Sequence, residues 1–283
     1  MKKFTAVVQG KGSGISLMQA MRQAWPLLPE HALREALKRK DVIVSGRRVS
    51  GNCMVNSGEE IVLYTRHDQR DILVVYEDAN YLLLNKPAGV NTDRNALSGF
   101  SLIGWAEERA AGSYQPYLCH RLDNQTSGLC LLAKDEPSAE VAKAAFKARD
   151  IVKMYECLVA ETPEPQAAKL TAYLTKDAKK AKVFITDQPK SGALEITTGY
   201  RVLIPGDIAR LEVQLFTGRT HQIRAHLAHI GHPVLGDDVY GNRSLNREKG
   251  QPGLKLCAVS LAFPPQCGLE SLQGKMFTVS APF

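Results

Sequence analysis

A short polar segment at residues 120–128 combines residue types that can do acid–base or nucleophilic chemistry. It reads His120-Arg121-Leu122-Asp123-Asn124-Gln125-Thr126-Ser127-Gly128 and leads into an apolar run, so Asp123 is predicted to lie on a loop at the mouth of a strand. A carboxylate on a loop that a sheet supports is well placed to act on a substrate. The same spacing also fits a loop cap, in which Asp123 accepts hydrogen bonds from Thr126 or Ser127. Spacing alone does not separate the two interpretations.

The order of residue types in this segment, however, resembles a family signature. H-R-L-D-x-x-T-S-G is similar to the signature of the RluA-type family of pseudouridine synthases, and further segments agree with that family in the same order. The segment Asn85-Lys86-Pro87-Ala88-Gly89 is similar to its K-P-x-G turn, and Lys153-Met154-Tyr155 is similar to its strand tyrosine. The segment from Thr217 to Arg224 is similar to its arginine motif, and Gly236 to Gly241 is similar to the loop that follows that motif. The resemblance covers residues 72–283.

The resemblance implies an enzyme that isomerises uridine to pseudouridine in RNA. That reaction breaks the N1–C1′ glycosidic bond, turns the uracil and joins C5 to C1′, so no cofactor or metal is expected. Asp123 would be the essential catalytic carboxylate, ionised, and either attacking the base or the sugar or promoting glycal formation. By the family pattern Arg224 is the cation beside Asp123, and Tyr155 is expected to stack on the extruded uracil and is a candidate for assisting in the removal of the C5 proton. Without the family match, Tyr155 would be interpreted as an ordinary strand tyrosine and Arg224 as a helix-surface ion pair.

Two further substrate contacts follow from the same resemblance. Arg121 is expected to hold the gap left by the flipped nucleotide or to contact phosphate, and Leu256 is expected to line the uracil pocket. The sequence departs from the family at Cys257, where the family has histidine in L-H-A, so the role of that histidine is expected to be lost or moved. It departs again after Gly89, where the usual histidine or proline is missing.

The strands and helices predicted around these residues indicate an α+β fold. Apolar runs at 72–76 and 81–85 predict a β-hairpin, and further strands are expected at 129–133, 151–160, 195–202 and 210–216. The strand at 151–160 should place Lys153, Tyr155, Cys157 and Val159 on one side. Helices are expected at 138–149 and 221–230. Many strands with few helices favour a mixed, mostly antiparallel sheet flanked by helices, which is the pseudouridine synthase fold that the resemblance implies.

Residues 13–65 predict a separate, small and basic α/β domain, followed by a polar linker at 66–71. Leu17, Met21 and Trp25 recur at helical spacing, a second helix begins at Pro29-Glu30, and short β-like segments surround a Ser45-Gly46 turn. This order resembles the small RNA-binding domain shared with a ribosomal small-subunit protein. A charge run usually marks a solvated face, but here we expect a phosphate-binding surface formed by Arg34, Lys38, Arg39, Lys40, Arg47 and Arg48.

Composition and charge bound the remaining possibilities. A formal net charge of +7 in 283 residues favours a polyanionic partner, which we expect to be structured RNA, ribosomal rather than transfer RNA. The N-terminus lacks the apolar stretch of a signal peptide, and no run approaches the roughly 18 apolar residues of a membrane span. The sequence therefore predicts a cytoplasmic protein, expected to act as a monomer. Its cysteines form no C-x-x-C pair, so neither a disulfide framework nor a cysteine zinc site is expected.

Other functional interpretations are weaker. The histidines at 221, 226, 229 and 232 suggest zinc, but no H-E-x-x-H motif or cysteine pair accompanies them. The glycine-rich segment 10–14 lacks the spacing of a phosphate-binding loop, and H-R-L-D lacks the other segments of a kinase. The alternative that stays open is a non-enzymatic RNA-binding or ribosome-assembly protein. Since a pure binder needs no combination of Asp123, Tyr155 and Arg224, the sequence favours an enzyme.

Overall fold

The computed structural model describes residues 1–9, 14–28, 30–66, 72–94, 100–177, 182–249 and 253–283. The predicted linker lies outside these residues except for Arg66, and so does most of the glycine-rich segment 10–14. Among the described residues, no helix is long and apolar enough to cross a membrane.

The N-terminal residues form a four-stranded antiparallel sheet with two helices packed against it. The elements are β1 (Lys2–Val7), β2 (Ile15–Ser16), α1 (Leu17–Ala24), α2 (Glu30–Lys38), β3 (Val42–Val44), β4 (Arg47–Val49), β5 (Met54–Val55) and β6 (Glu60–Thr65). The sheet order is β1-β6-β3-β4, and β2 pairs with β5. Leu17, Met21 and Leu33 on the helices pack with Val42 and Leu63 on the strands. The helical spacing and the Ser45-Gly46 turn therefore predicted these elements correctly, but β1 lies before residue 13, the predicted start of the domain.

The rest of the chain forms a large mixed sheet with helices on its faces. Its elements are β7 (Leu73–Glu77), β8 (Tyr81–Lys86), α3 (Leu102–Ala110), β9 (Tyr117–Leu118), β10 (Ser127–Ala133), α4 (Glu136–Ala148), β11 (Val152–Ala160), β12 (Ala167–Asp177), β13 (Lys182–Thr186), β14 (Leu194–Ile204), β15 (Ile208–Leu215), α5 (Gln222–His229), α6 (Arg243–Glu248), β16 (Leu256–Ala262), a 3₁₀ turn (Glu270–Leu272) and β17 (Met276–Thr278). The described strands follow the order β13-β12-β14-β15-β11-β16-β10-β8-β7, with β9 beside β10 and β17 beside β16. The expected mixed α+β fold is confirmed.

The centre of this sheet is the part that positions the site. Among the described strand pairs, β10 and β16 are parallel and the others are antiparallel, with Ser127 opposite Cys257 and Gly128 opposite Ala258. On the other side of β16 lies β11, where Tyr155 is opposite Ala258. The loop that carries Asp123 enters β10 directly, so this loop and two central strands meet at one edge.

Each face of the central strands is buried by a different cluster of apolar side chains. On one face, Leu132 and Leu211 belong to the cluster that also contains Tyr155, Leu256 and Leu102 of α3. On the other face, Leu131 packs with the small alanine side chains of α4. Strands buried on both faces read as continuous apolar runs, which explains why the β10 sequence was recognisable as a strand.

Candidate active site

A cleft of about 1170 Å³ opens where the Asp123 loop meets the central strands. Its lining includes all the residues predicted to contact the substrate, namely Asp123, Tyr155, Arg224, Arg121 and Leu256. These residues come from a loop, two strands and a helix that lie up to 135 positions apart in the chain (Arg121 to Leu256). The fold therefore assembles the residues that the sequence motifs singled out.

The Asp123 loop is held in place by the segment that follows β8. Thr92 Oγ1 donates a hydrogen bond to the Leu122 carbonyl at 2.7 Å and accepts one from the Leu122 N–H at 3.1 Å. Asn124 accepts a hydrogen bond from the Gly89 N–H at 2.8 Å. Because these bonds lie on both sides of Asp123, they fix the backbone that presents its carboxylate.

Lys86 has a structural place in this arrangement. Its side chain is fully buried, and its ammonium donates to the carbonyls of Val90 at 2.7 Å and Asn124 at 3.0 Å. Burial lowers the pKa of Lys86 to about 7. The lysine of the K-P-x-G turn thus connects that turn to the residue after Asp123.

The Asp123 carboxylate faces Arg224 and His221. Its Oδ2 lies 3.4 Å from Arg224 Nη1 and 3.7 Å from His221 Nε2. The Thr126 N–H donates instead to the main-chain carbonyl of Asp123, at 3.1 Å. Among the described hydrogen bonds the carboxylate accepts none from Thr126 or Ser127, so the loop-cap interpretation does not describe this structure.

Arg224 is held mainly by Asp237, a residue for which the sequence predicted no role. Arg224 Nε lies 2.7 Å from Asp237 Oδ2, Arg224 Nη2 lies 2.9 Å from Asp237 Oδ1, and the Asp237 side chain is completely buried. Burial alone would raise the pKa of Asp237, but the Arg224 guanidinium and the N–H groups of Tyr240 and Val239 lower it below its usual value. The bidentate pair orients the guanidinium so that Nη1 remains available to Asp123.

We expect Asp237→Asn to destabilise the protein by about 3–5 kcal/mol, because it leaves a buried guanidinium without its bidentate partner. Activity should fall as well, since Arg224 then loses its fixed orientation towards Asp123. Urea unfolding and a pseudouridine assay measure the two effects. Asp238→Asn, at the exposed neighbouring residue, is the matched control and should change stability by less than about 0.5 kcal/mol. Equal losses in the two variants would contradict this view of Asp237.

Tyr155 and Leu256 form the apolar wall of the cleft. Tyr155 is only 7% exposed, and burial raises the pKa of its phenol, which therefore stays protonated at neutral pH. Leu256 begins β16 and lies opposite Cys157 on β11. Cys257, which stands where the family has histidine, is buried opposite Ser127.

Arg121 lies at the rim of the cleft. Its side chain is 71% exposed, and Nη1 is 3.9 Å from Asp93 Oδ2, so it is loosely paired and accessible to a partner. This exposed position is compatible with both predicted roles, holding the gap left by the flipped nucleotide and contacting phosphate.

The basic surface predicted on the N-terminal domain is partly neutralised within that domain. Arg34 pairs with Glu30 at 2.6 Å, Arg39 pairs with Glu35 at 2.6 Å, and Arg48 donates to the Lys40 carbonyl at 3.0 Å. Lys38, the Lys40 ammonium and Arg47 form no ion pair with the described residues. The surface therefore offers fewer free cations than the sequence suggested.

The histidines that suggested zinc separate into different environments. His226 Nδ1 lies 3.0 Å from Thr198 Oγ1, and His229 Nε2 lies 2.8 Å from Asp187 Oδ1. His232 Nδ1 lies 3.4 Å from the Ala160 carbonyl oxygen. Of the four histidines, His221 is the one that lines the cleft.

Sequence reasoning missed four residues of this site, which are Thr92, His221, Asp237 and Tyr240. The last three lie inside the motif segments 217–224 and 236–241, so a signal for them was present, but the motif itself attaches no geometry to them. Thr92 lies in the stretch where the chain departs from the family pattern.

The class of this fold is shown by a solved structure. The chain matches that of the human RNA Pseudouridylate Synthase Domain Containing 4 with a TM-score of 0.60 and 25% sequence identity, over 74% of this chain and 88% of that one. A family model described as RNA pseudouridylate synthase matches residues 80–229. The chain therefore belongs to the RNA pseudouridylate synthase family, and it is an RNA pseudouridine synthase, an isomerase.

Curated relatives agree with this assignment. The ribosomal large subunit pseudouridine synthase D of Escherichia coli is 30% identical over 269 residues, which are 85% of this chain and 77% of that protein. The ribosomal large subunit pseudouridine synthase C of Rickettsia conorii is 29% identical over 249 residues, with 80% and 82% of the two chains covered.

Proposed function

We propose that this synthase converts specific uridines of large-subunit ribosomal RNA to pseudouridine in the cytoplasm, with Asp123 as the catalytic carboxylate. The observation that carries the proposal is the Asp123 carboxylate, 3.4 Å from Arg224, in the same cleft as the buried Tyr155. The choice of ribosomal over transfer RNA is supported by the relatives that are named as ribosomal large subunit synthases.

In this proposal the target nucleotide leaves the RNA stack and enters the cleft. Tyr155 and Leu256 provide an apolar surface for the uracil, because every base offers a π-face to an aromatic ring. Asp123 then promotes cleavage of the N1–C1′ bond, the uracil turns, and C5 bonds to C1′ while the C5 proton is lost and N1 gains one. Reactant and product are isomers, so no oxidant or reductant is consumed.

The charge of the cleft supports an RNA substrate. Eight lysine and arginine residues line it against two aspartates, Asp93 and Asp123. Beyond Arg121 and Arg224, the cations are Arg94, Lys147, Arg149, Lys153, Lys176 and Arg219. Such an excess of positive charge around a cleft attracts a phosphodiester chain and positions it without reading sequence.

The organisation into an N-terminal module and a catalytic unit is also part of the proposal. We assign RNA contacts to Lys38, Lys40 and Arg47 of the module, with residues 66–71 joining it to the catalytic unit at 72–283. Including β1, the module begins at residue 2 rather than 13, because β1 completes its sheet along β6.

Mapping lost pseudouridines tests the proposed function directly. Total RNA from a strain without this gene is treated with carbodiimide, and reverse-transcription stops are compared with those of the parent strain. Loss of one or more stops in large-subunit ribosomal RNA, restored by the wild-type gene but not by Asp123→Asn, is the expected result. Stops lost only in transfer RNA would overturn the choice of RNA, and an unchanged pattern would overturn the function.

Lys153 allows a test of one individual contact between the cleft and the RNA. Lys153 is 8% exposed, its ammonium lies 5.7 Å from the centre of the Phe146 ring, and it forms no ion pair with the described part of the chain. Burial, together with Arg149, lowers the pKa of Lys153. A buried cation without a carboxylate partner in an RNA-binding cleft points to a phosphate as its partner.

We expect Lys153→Met to raise the KM for RNA and to reduce the slope of log affinity against log salt concentration by roughly one unit, with stability unchanged or increased. Filter binding over a salt series measures the slope. Lys169→Met is the matched control, since the Lys169 ammonium also lies over an aromatic ring, 4.4 Å from the centre of Phe216, but outside the cleft. An identical salt slope in wild type and Lys153→Met would contradict the phosphate contact.

A further inference from the structure

His221 occupies an unusual backbone position beside the catalytic carboxylate. It precedes the first residue of α5 and has a φ of 54°, in the left-handed region that is uncommon for residues other than glycine, although histidine, like asparagine and aspartate, adopts it more readily than most. In this conformation its ring lies between two partners, with Nδ1 2.9 Å from Tyr240 Oη and Nε2 3.7 Å from Asp123 Oδ2. Local strain of this kind persists where the surrounding structure demands it, which is often at a functional site.

The hydrogen-bond partners of Tyr240 bear on which nitrogen of His221 carries the proton, because a contact between Nδ1 and a hydroxyl fits either direction of donation. The Val183 N–H donates to Tyr240 Oη at 2.9 Å, so the phenol accepts from that side. Among the described residues, the acceptor within reach of the phenol hydrogen is His221 Nδ1. A nitrogen that accepts a hydrogen bond carries no hydrogen, so the neutral imidazole carries its hydrogen on Nε2, the nitrogen that faces Asp123.

The groups around His221 keep it neutral. Burial is the largest cause that lowers the pKa of His221, and the cations Arg224 and Lys176 lower it further, whereas Asp123 and Asp237 oppose them. The Arg224 guanidinium lies 5.3 Å and the Lys182 ammonium 5.1 Å from the centre of the Tyr240 ring, so two cations lie near the partner of His221 Nδ1.

Both donors in the site face the same oxygen of Asp123. Arg224 Nη1 and His221 Nε2 lie near Oδ2, whereas Oδ1 accepts no hydrogen bond from the described residues. The distance from His221 is longer than a hydrogen bond, as is common before substrate closes an active site.

We propose that His221 is a positioning residue whose Nε2–H, together with Arg224, holds Oδ2 of Asp123 and leaves Oδ1 as the oxygen that reacts with the nucleotide. Tyr240 sets the tautomer of His221 that this role requires. This inference rests on the proposed function of Asp123. In this proposal His221 and Tyr240 determine which of the two Asp123 carboxylate oxygens is held and which one reacts.

The tautomer can be tested without any RNA. Long-range ¹H–¹⁵N spectra of the histidine-labelled protein distinguish a protonated from an unprotonated ring nitrogen, and the His221 signals are those that disappear in His221→Asn. The expected result is an unprotonated Nδ1 and a protonated Nε2 in wild type, with a mixture of tautomers in Tyr240→Phe. A protonated Nδ1 in the wild-type protein at neutral pH would overturn the inference and leave the role of Asp123 untouched.

Kinetics test the positioning role. Asparagine tolerates a positive φ and reaches Tyr240, but it has no group at the place of Nε2, so His221→Asn should lower kcat by roughly 10- to 100-fold with little change in KM. His221→Gln, whose amide can donate from near the Nε2 position, should restore part of kcat. The control His229→Asn, on the same helix but outside the cleft, should behave as wild type.

A conservative variant separates positioning from a merely structural effect. Both ring nitrogens of a protonated imidazole carry hydrogen, so protonation of His221 keeps the Nε2–H that faces Asp123, and the decisive comparison is between side chains that can and cannot donate from that position. An unchanged kcat in His221→Asn, or a His221→Gln variant no more active than His221→Asn, would overturn the inference, while inactivity of Asp123→Asn would still support the proposed function.

Discussion

Asp123→Asn is expected to lower the rate of pseudouridine formation by roughly 10³-fold or more, the scale of loss that accompanies removal of an essential carboxylate or nucleophile. The substitution preserves the shape of the side chain but removes the negative charge that the proposed chemistry requires. The protein should still fold, since Arg224 keeps its bidentate contact with Asp237. RNA affinity should be equal or higher, because a negative charge has left a cleft that binds phosphates.

Single-turnover assays with saturating enzyme isolate the chemical step in this variant. Asp93→Asn is the matched control, because Asp93 is the other aspartate of the cleft but has a side chain that is 54% exposed at the rim. This control should change the rate only a few-fold. If both variants lost activity equally, or if Asp123→Asn turned over at the wild-type rate, Asp123 would not be the catalytic carboxylate.

Gly128→Ala is expected to destabilise the protein by about 3 kcal/mol or more and to disrupt the cleft. Gly128 has a φ of 110°, and a Cβ there would lie 2.6 Å from the Ala258 nitrogen and still closer to its carbonyl oxygen. These are backbone atoms of the neighbouring strand, so no side-chain rotation relieves the clash. Because β10 and β16 would have to separate, the Asp123 loop and Leu256 would move apart, and activity should fall together with stability.

A second glycine separates this clash from the cost of the backbone conformation. Gly112 has a φ of 82°, but a Cβ built on it meets nothing within 4 Å. Gly112→Ala should therefore cost only about 1 kcal/mol, the penalty for placing alanine in the left-handed region. Urea unfolding of both variants gives the comparison, and equal free-energy losses would show that the strands tolerate the added methyl group.

The elements that the sequence predicted well are those with a strong local pattern. The apolar runs of β8, β10 and β11 are buried in the centre of the sheet, so their composition alone indicates strands. By contrast, β1 and β12 were not predicted, although Ala168, Leu170, Ala172 and Leu174 of β12 alternate with other residues, because most residues of both strands are exposed or only half-buried and no continuous apolar run marks them. These strands are stabilised by pairing with β6 and β14, which a local pattern does not contain.

The candidate site divides in the same way. The motif at 120–128 identified Asp123, and the order of the other motifs identified Tyr155 and Arg224. The i,i+4 spacing of Glu30 with Arg34 and of Glu35 with Arg39 is visible in the sequence, but the expected phosphate-binding surface did not take these pairs into account. An ion pair depends on side-chain rotamers as well as on spacing, so charge counted along a chain overstates the charge available to a partner.

By itself, the sequence determined the class of reaction, the catalytic carboxylate that we propose, and the strands that carry it. Each of these follows from a pattern of residues that are contiguous in the chain. Only the tertiary structure decided which groups surround that carboxylate. Arg224 lies 101 positions from Asp123, and its bidentate partner is Asp237. The contacts of His221 are likewise distant in the chain, since its Nδ1 meets Tyr240 Oη, which in turn accepts from the Val183 N–H of β13. Distances between such residues follow from how β10, β16 and α5 pack, and no local sequence pattern encodes that packing.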